Sequence, residues 1–214
     1  MERINKKRLA WGVSLVASFV LWTVLVSCVD VRKIGPKGSS VGFAALNRFA
    51  HELTGVNWLL YTVTDWLGLV PIGTALGFAC LGLAQLVKRK SLRKVDYSIL
   101  ALGVFYIVVM AVYIFFETVV INYRPTLIDG YLEASYPSST TMLVMCVMPT
   151  AAIQLNVRIK NTVLRRCAII AIIAFTAFMV IGRLSSGVHW ITDIIGGALL
   201  SAGLVMMYDS IRNS

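Results

Sequence analysis

Three ionisable residues, Arg183, His189 and Asp193, lie within the short stretch GRLSSGVHWITD of a chain that carries little charge elsewhere. His189 and Asp193 are four residues apart, so on a helix they share one face and the carboxylate can reach the imidazole. An aspartate in that position accepts the Nδ1 proton, which fixes the tautomer and leaves Nε2 free as a nucleophile or base. The alternative is that His189 is an interfacial anchor and Asp193 caps a helix.

A second candidate cation, Arg124, lies in ETVVINYRPTLIDG, and three hydroxyl residues, Ser138, Ser139 and Thr140, follow in YPSSTT. Pro137 immediately before them predicts the first turn of a helix, where free backbone amides can bind an anion. A capping serine alone would also explain this stretch. Two arginines, a run of free amides and a histidine oriented by an aspartate together indicate a phosphate pocket, provided that the fold brings them to one side.

Membrane-spanning helices are the elements that must position these residues. The chain has 214 residues, of which 58% are hydrophobic and 14% are charged, and its mean hydropathy is +0.79. A helix needs roughly 20 mostly apolar residues to cross the hydrocarbon layer. Six segments fit: Leu9–Val29, Trp66–Val87, Val95–Phe116, Thr141–Val157, Val163–Ile181 and Ile191–Tyr208. The sequence therefore predicts an all-α polytopic membrane protein with six transmembrane helices in one integral domain, 1–214, and an uncleaved first span.

The net charge of +10 follows the ends of these spans and does not indicate a nucleic-acid surface. Fourteen of the 20 Lys and Arg residues lie on one side, in clusters that begin at Arg3, Lys88 and Arg158 and at Arg212. By the positive-inside rule this side is cytoplasmic, so both termini are predicted to lie on the cytoplasmic side of the cell membrane. The loops at 30–65, 117–140 and 182–190 then share the extracytoplasmic face, and any joint site opens there.

An amphipathic helix is predicted between the first and second spans, in VGFAALNRFAHELTG. Leu46, Phe49, Ala50 and Leu53 are spaced to form one apolar face. The helix could lie along the outer membrane surface or, equally well, pack as a cap on the helix bundle. His51, on the polar face, is expected to face solvent or lipid headgroups.

Small residues predict where helices approach each other closely. Gly73 and Gly77 form a GxxxG spacing in the second span, and GGALLSAG enriches the sixth span in small residues. Gly182 and Gly187 are expected to let the backbone turn sharply and come close to a ligand. The four cysteines lie within or beside apolar spans, which is typical of small apolar residues and not of a disulfide framework.

Three segments resemble the signatures of the type 2 phosphatidic acid phosphatase family, the lipid phosphate phosphatases whose superfamily includes vanadium haloperoxidases and glucose-6-phosphatase. The family patterns are KxxxxxxRP, PSGH and SRxxxxxHxxxD. Here they read ETVVINYRP at 117–125, PSST at 137–140 and GRLSSGVHWITD at 182–193. The order, the spacing and the six-span layout agree with the family, and the third signature is the strongest.

The resemblance implies a phosphatase that forms a covalent phosphohistidine on His189, with Asp193 orienting the ring. It implies that Arg124, Arg183 and Ser138 hold the phosphate. The expected partner is a membrane lipid phosphate at the outer leaflet, and no nucleic acid is expected. No cofactor or metal is expected, since the sequence has no HExxH motif or clustered ligand spacing. The lipid chain, a water or lipid acceptor, and the oligomeric state remain open.

The chain departs from the signatures at four positions. Glu117 replaces a phosphate-binding Lys, Thr140 replaces the His that protonates the leaving group, Ser139 replaces Gly, and Gly182 replaces Ser. Glu117 and Ser139 are thus candidate phosphate-site residues, and Thr140 is a candidate catalytic position. A carboxylate near a phosphate is unfavourable unless Glu117 is turned away, is protonated or pairs with an arginine.

Two functions fit these departures. Without a leaving-group acid at Thr140, a lipid diphosphate such as undecaprenyl or another polyprenyl diphosphate is the better substrate, because a departing phosphate, with a second pKa of about 6, leaves without protonation. The alternative is a protein that binds or transports lipid phosphates after losing turnover, which Glu117 and Thr140 also favour.

Overall fold

The computed structural model describes residues 5–212, so Arg3 of the first basic cluster lies outside that range. Its α-helices are α1 (Lys6–Cys28), α2 (Ala44–Thr54), α3 (Trp58–Leu67), α4 (Leu69–Arg89), α5 (Tyr97–Thr118), α6 (Ser139–Arg158), α7 (Thr162–Ser185) and α8 (Ile191–Ile211). Between α1 and α2, strands β1 (Arg32–Lys33) and β2 (Ser40–Val41) pair antiparallel around the 3-10 turn Pro36–Gly38. A second 3-10 turn, Leu92–Lys94, joins α4 to α5.

Within residues 5–212, six helical segments are long and apolar enough to cross a membrane, which confirms the predicted number of spans. The second of them, Trp58–Arg89, contains both α3 and α4, which meet at Gly68. The predicted start of this span at Trp66 was wrong by about two turns. The reason is that α3 carries Thr64 and Asp65, whose polarity makes the segment look like part of the preceding loop.

Helices α6 and α8 form the centre of the bundle. Half of the apolar window of each is buried, against 11% to 22% for the other four spans. Close contact between α1 and α8 depends on Gly12 and Gly203, because a Cβ on Gly12 would lie 2.9 Å from the Gly203 carbonyl oxygen. The predicted packing role of the small residues in the last span is thus confirmed. The GxxxG prediction was wrong, since a Cβ on Gly73 or Gly77 would meet nothing within 4 Å.

The predicted amphipathic helix is present as α2, and it packs against the protein through Asn47 and not through its large apolar residues. Phe49 and Leu53 are 61% and 72% exposed, whereas Asn47 is fully buried and its Nδ2 donates to Thr192 Oγ1 at 3.0 Å. His51 does not face outward as expected, because its half-buried ring lies 5.5 Å from that of Trp190, measured between centroids. This helix therefore holds the first turn of α8, where the third signature ends.

Candidate active site

A short hairpin between α5 and α6 positions two side chains of the site. The Arg124 amide donates to the Glu133 carbonyl at 3.1 Å, and the Ser135 amide donates to the Asn122 carbonyl at 2.9 Å. Because these hydrogen bonds fix the register of the two chain segments, Arg124 and Ser135 are brought beside the same ring, that of His189.

His189 is buried in front of this hairpin, with 3% of its surface exposed. The Arg124 Nη1 atom lies 3.2 Å from His189 Nε2. Since a guanidinium only donates, Nε2 is the accepting, unprotonated nitrogen and the proton is on Nδ1. Burial, and next the charges of Arg124 and Arg183, hold the pKa of His189 well below its usual range. The ring is therefore neutral at pH 7, the state in which Nε2 can attack an electrophile.

Asp193 reaches His189 through a third residue, Ser135. The direct distance from His189 Nδ1 to Asp193 Oδ2 is 3.7 Å, too long for the direct hydrogen bond that was predicted. Ser135 Oγ lies 3.1 Å from Nδ1 and also hydrogen bonds to Asp193 Oδ2. The same oxygen of Asp193 accepts the Trp190 amide at 2.9 Å, which fixes the carboxylate at the start of α8. Sequence reasoning missed Ser135.

Trp190 connects the third signature to the first. Its indole Nε1 donates to the carbonyl of Tyr123 at 2.7 Å. Because Tyr123 precedes Arg124, this bond places the arginine beside the loop that carries His189.

Arg183 lies in the last turn of α7, not in the outer loop where it was predicted. It is 1% exposed, and its partners all come from α3. Its Nη1 lies 3.5 Å from Asp65 Oδ1 and 3.4 Å from Thr64 Oγ1, and its guanidinium carbon lies 5.0 Å from the centre of the Tyr61 ring. Helix α3 thus holds Arg183 in place, and an aspartate in an apolar segment was the one sequence signal for this contact.

Gly182 and Gly187 allow close approach, but to other parts of the chain. A Cβ on Gly182, within α7, would lie 2.8 Å from Thr64 Cγ2. Gly187 has a φ of +67°, and a Cβ there would collide with the carbonyl of Gly55. These glycines were expected to approach a ligand. They instead let the backbone of residues 182–190 pack closely against Thr64 and Gly55.

The start of α6 offers fewer free amides than predicted. The amide of Ser138 donates to the Asp193 carbonyl at 3.1 Å, and its Oγ accepts the Thr141 amide at 3.4 Å, so Ser138 caps the helix. Ser138 is fully buried. The next two amides, of Ser139 and Thr140, stand at the first two helical positions, where an α-helix provides no internal acceptor. An anion could bind these two, with Ser138 as their support.

A polar cavity of about 530 Å³ opens beside Arg124. Glu117, Glu133 and Ser139 line it, together with Tyr113 and Tyr123. Glu133 Oε2 lies 3.0 Å from Arg124 Nε. Glu117, in the last turn of α5, is exposed and forms no ion pair with any described residue. The replacement of Lys by Glu117 thus changes the charge of this cavity.

The rest of the described chain shows no further ligand cluster. Within residues 5–212, no three His, Cys, Asp or Glu side chains are grouped so that they could hold a metal ion. Asp129, on the hairpin, lies outside the cavity beside Arg124. The four cysteines are free, and Cys146 is the buried one. The arrangement at His189 is suited to an anion.

Comparison with known proteins agrees with the signatures. Residues 117–212 match the family model described as the PAP2 superfamily. The fold is similar to the crystal structure of the first transmembrane PAP2 type phosphatidylglycerolphosphate phosphatase from Bacillus subtilis, with a TM-score of 0.63 and 20% identity over 94% of this chain and 96% of that one. No curated protein matches the chain significantly. The structural match establishes the fold, and the family match covers all three signatures.

Proposed function

We propose that this chain, whose residues 117–212 match the PAP2 superfamily model, is an integral membrane lipid phosphatase that acts at the extracytoplasmic face through a phosphohistidine on His189. One observation carries the proposal: a buried, neutral imidazole has its Nε2 3.2 Å from Arg124 Nη1 and its Nδ1 linked to Asp193. A nucleophile held in one orientation beside a phosphate-binding cation is what phosphoryl transfer to histidine requires.

The chemistry consists of two displacements at phosphorus. In the first, the Nε2 lone pair of His189 bonds to phosphorus, the bond to the leaving oxygen breaks, and its electron pair departs with the leaving group. Arg124, Arg183 and the amides of Ser139 and Thr140 stabilise the charge on the phosphoryl oxygens. In the second, a water oxygen bonds to phosphorus, the P–N bond breaks, phosphate leaves with a neutral His189 restored, and one proton passes to solvent.

Substrate binding must move Arg124. In-line attack places phosphorus in front of His189 Nε2, where the Nη1 of Arg124 now donates at 3.2 Å. The guanidinium must therefore turn so that this N–H donates to a phosphate oxygen and no longer to the imidazole. The same movement changes the contact of Arg124 with Glu133. His189, Glu133 and the phosphate thus compete for the Arg124 guanidinium.

The substrate we propose is a lipid diphosphate, with polyprenyl diphosphate as the test compound. Thr140 cannot act as a general acid near neutral pH, and the loss of such an acid typically lowers a rate by about 10² to 10⁴. A lipid monophosphate leaving group needs no protonation, since the second pKa of a phosphate is about 6. An alkoxide does need it, which disfavours phosphate monoesters.

The assay measures phosphate release by the purified protein from polyprenyl diphosphate, phosphatidate and phosphatidylglycerolphosphate, the last being the substrate named for the Bacillus subtilis neighbour. We expect the diphosphate to turn over fastest, His189→Ala to abolish release, and Thr140→His to raise turnover of the two monoesters selectively. Faster turnover of phosphatidate than of the diphosphate by the parent protein would refute the substrate proposal.

A second candidate function is lipid-phosphate binding or transport without turnover. The ion pair between Glu133 and Arg124, with Glu117 in the same cavity, favours it, because two carboxylates oppose an incoming phosphate. This function predicts binding of lipid phosphates without phosphate release, and a His189→Ala variant that behaves like the parent. Acid-labile phosphate trapped on the parent protein, and absent from His189→Ala, would exclude it.

The side of the membrane can be tested by cysteine labelling. Tyr131, on the hairpin of the site, is 73% exposed, and Lys90 lies in the basic loop between α4 and α5. In a variant with the four native cysteines replaced by alanine, a membrane-impermeant maleimide should label Tyr131→Cys on intact cells. It should label Lys90→Cys only after permeabilisation. The reverse pattern would put the site on the cytoplasmic side.

A further inference from the structure

The carboxylate of Asp193 and the imidazole of His189 are separated by a gap that one hydroxyl group fills. His189 Nδ1 and Asp193 Oδ2 are 3.7 Å apart, and Ser135 Oγ lies 3.1 Å from Nδ1 while hydrogen bonding to Oδ2. Ser135 is 2% exposed. Its hydroxyl therefore has no access to bulk solvent and is committed to these two partners.

The donors and acceptors along this path can be assigned from the arginine at one end of it. Arg124 only donates, so His189 Nε2 accepts and Nδ1 carries the proton. The Nδ1–H group then donates to Ser135 Oγ, and the Ser135 hydroxyl donates to Asp193 Oδ2. Asp193 Oδ2 also accepts the Trp190 amide at 2.9 Å, so the same oxygen serves as an acceptor for two donors.

We propose that Ser135 is a positioning residue that transmits the orienting effect of Asp193 to His189, holding the Nδ1–H tautomer and the ring plane. This inference rests on the proposed function of His189 as nucleophile. Among the described residues the Ser135 hydroxyl hydrogen bonds to His189 and Asp193 and to neither arginine, so we expect it to act through the histidine. It lies outside the three signature patterns.

The backbone holds Ser135 as firmly as it holds Arg124. The Ser135 amide donates to the Asn122 carbonyl at 2.9 Å, in the same hairpin whose neighbouring bond joins Arg124 to the Glu133 carbonyl. The register of one hairpin thus sets a group on each side of the imidazole. A shift of register would remove the Nδ1 acceptor and the Nε2 donor together.

The hydroxyl also has a role once the ring becomes charged. When Nε2 bonds to phosphorus, the imidazole gains a positive charge and its Nδ1–H becomes a stronger donor. Ser135 already accepts this hydrogen, and its own O–H dipole points to the carboxylate. The positive charge is stabilised through the two hydrogen bonds of Ser135, without transfer of the proton to Asp193. Asp193 lies beyond direct hydrogen-bond distance of Nδ1.

The test compares Ser135→Ala with Ser201→Ala. Ser201 is a matched control, because it is also fully buried and its hydroxyl donates to a backbone carbonyl, that of Met142, away from the imidazole. Steady-state kinetics with the proposed substrate gives kcat and KM separately. The ¹⁵N spectrum of selectively labelled histidine gives the tautomer directly, and the chain has only 2 histidines to assign, with a His51 variant identifying the other.

Ser135→Ala should lower kcat by about 10- to 100-fold, as loss of an outer partner that orients a histidine typically does, with KM unchanged. Its His189 spectrum should lose the single Nδ1–H form, whereas Ser201→Ala should keep both kcat and tautomer. Ser135→Ala combined with Asp193→Asn should be no slower than the slower single variant, because both act along one path.

Two results separate this inference from the proposed function. A parent-like tautomer and kcat in Ser135→Ala would overturn the inference, since Asp193 would then orient the ring alone. A parent protein that releases no phosphate from any substrate would overturn the proposed function, but a tautomer change in Ser135→Ala would still establish Ser135 as the positioning residue. A variant that fails to fold is recognised by its chromatographic profile, and Ser135→Cys, whose thiol is only a weak donor and acceptor, then replaces it with the same expected loss of the tautomer.

Discussion

Glu133 competes with the substrate for Arg124, and removing its charge should strengthen phosphate binding. Glu133 Oε2 lies 3.0 Å from Arg124 Nε, with the glutamate side chain 43% exposed and the arginine side chain 10% exposed. An ion pair with one largely hydrated partner is worth about 1 kcal/mol at most. Since this pair must be weakened before Arg124 can bind phosphate, Glu133→Gln should lower the Kd for phosphate by up to about fivefold.

Inorganic phosphate is titrated calorimetrically into protein that also carries the His189→Ala substitution, so that no phosphohistidine can form. Glu52→Gln is the matched control, because it makes the same charge change on an exposed face of α2. The difference between the two variants isolates the contact with Arg124 from the general change in net charge. It should shrink as salt is added, since an exposed ion pair is screened.

A result in which Glu133→Gln binds phosphate as weakly as Glu52→Gln would refute this reasoning. It would mean that Arg124 is released from the glutamate without a free-energy cost, or that phosphate binds elsewhere. Weaker binding in Glu133→Gln would show that the glutamate holds Arg124 in place for the phosphate.

Four further predictions concern the loop 186–190, the pH dependence of activity and of stability that follows from His189, and the contact between α3 and Arg183. Gly187→Ala forces a side chain into a φ of +67° and against the carbonyl of Gly55, so it should lower stability by about 1–3 kcal/mol or more, seen as a lower Tm. The pKa of His189 lies well below its usual 6.5, so the acidic limb of kcat/KM should fall below pH 6.5. Because the unfolded chain takes up this proton first, stability should decrease as the pH falls below 6.5, as denaturation at several pH values would reveal. Asp65→Asn should raise KM about threefold to tenfold with little change in kcat, if Asp65 only holds Arg183 at the phosphate site, and steady-state kinetics would detect it.

The spans and helix α2 could be predicted because hydropathy and helical spacing are local properties of the sequence. The orientation of α2 required the structure. Its apolar residues Phe49 and Leu53 are exposed and Asn47 is buried, the reverse of a helix on a water-soluble core. Asn47 packs inward because its amide group hydrogen bonds to the backbone and the hydroxyl group of Thr192 at the start of α8.

The environment of Arg183 could not be predicted because it depends on contacts between distant segments. Thr64, which receives a hydrogen bond from Arg183, is 119 residues away in sequence. No spacing rule links α3, the first part of the second span, to the end of the fifth span, where Arg183 lies. The one available signal was Asp65, since an ionisable residue in such a segment predicts a functional partner.

Ser135 was missed for a different reason. The spacing of His189 and Asp193 correctly predicted that they share one side of a helix start, but spacing does not fix a distance to within an ångström. A gap of 3.7 Å and its bridging hydroxyl follow from the hairpin register, which a lone serine does not reveal.

Two departures from the family signatures, Gly182 and Glu117, differ in whether their surroundings require them. At Gly182 the cause is packing: a side chain there would lie 2.8 Å from Thr64 Cγ2, and the hydroxyl beside Arg183 now comes from α3, with Thr64 Oγ1 3.4 Å from Arg183 Nη1. At Glu117 no neighbour requires the change, since the side chain is exposed at the cavity next to Arg124. Arg124, Arg183 and Ser138, which are expected to hold the phosphoryl group, are thus retained, while Glu117 replaces one expected cation and Thr140 replaces the expected leaving-group acid. This pattern favours a change of substrate over a loss of the reaction.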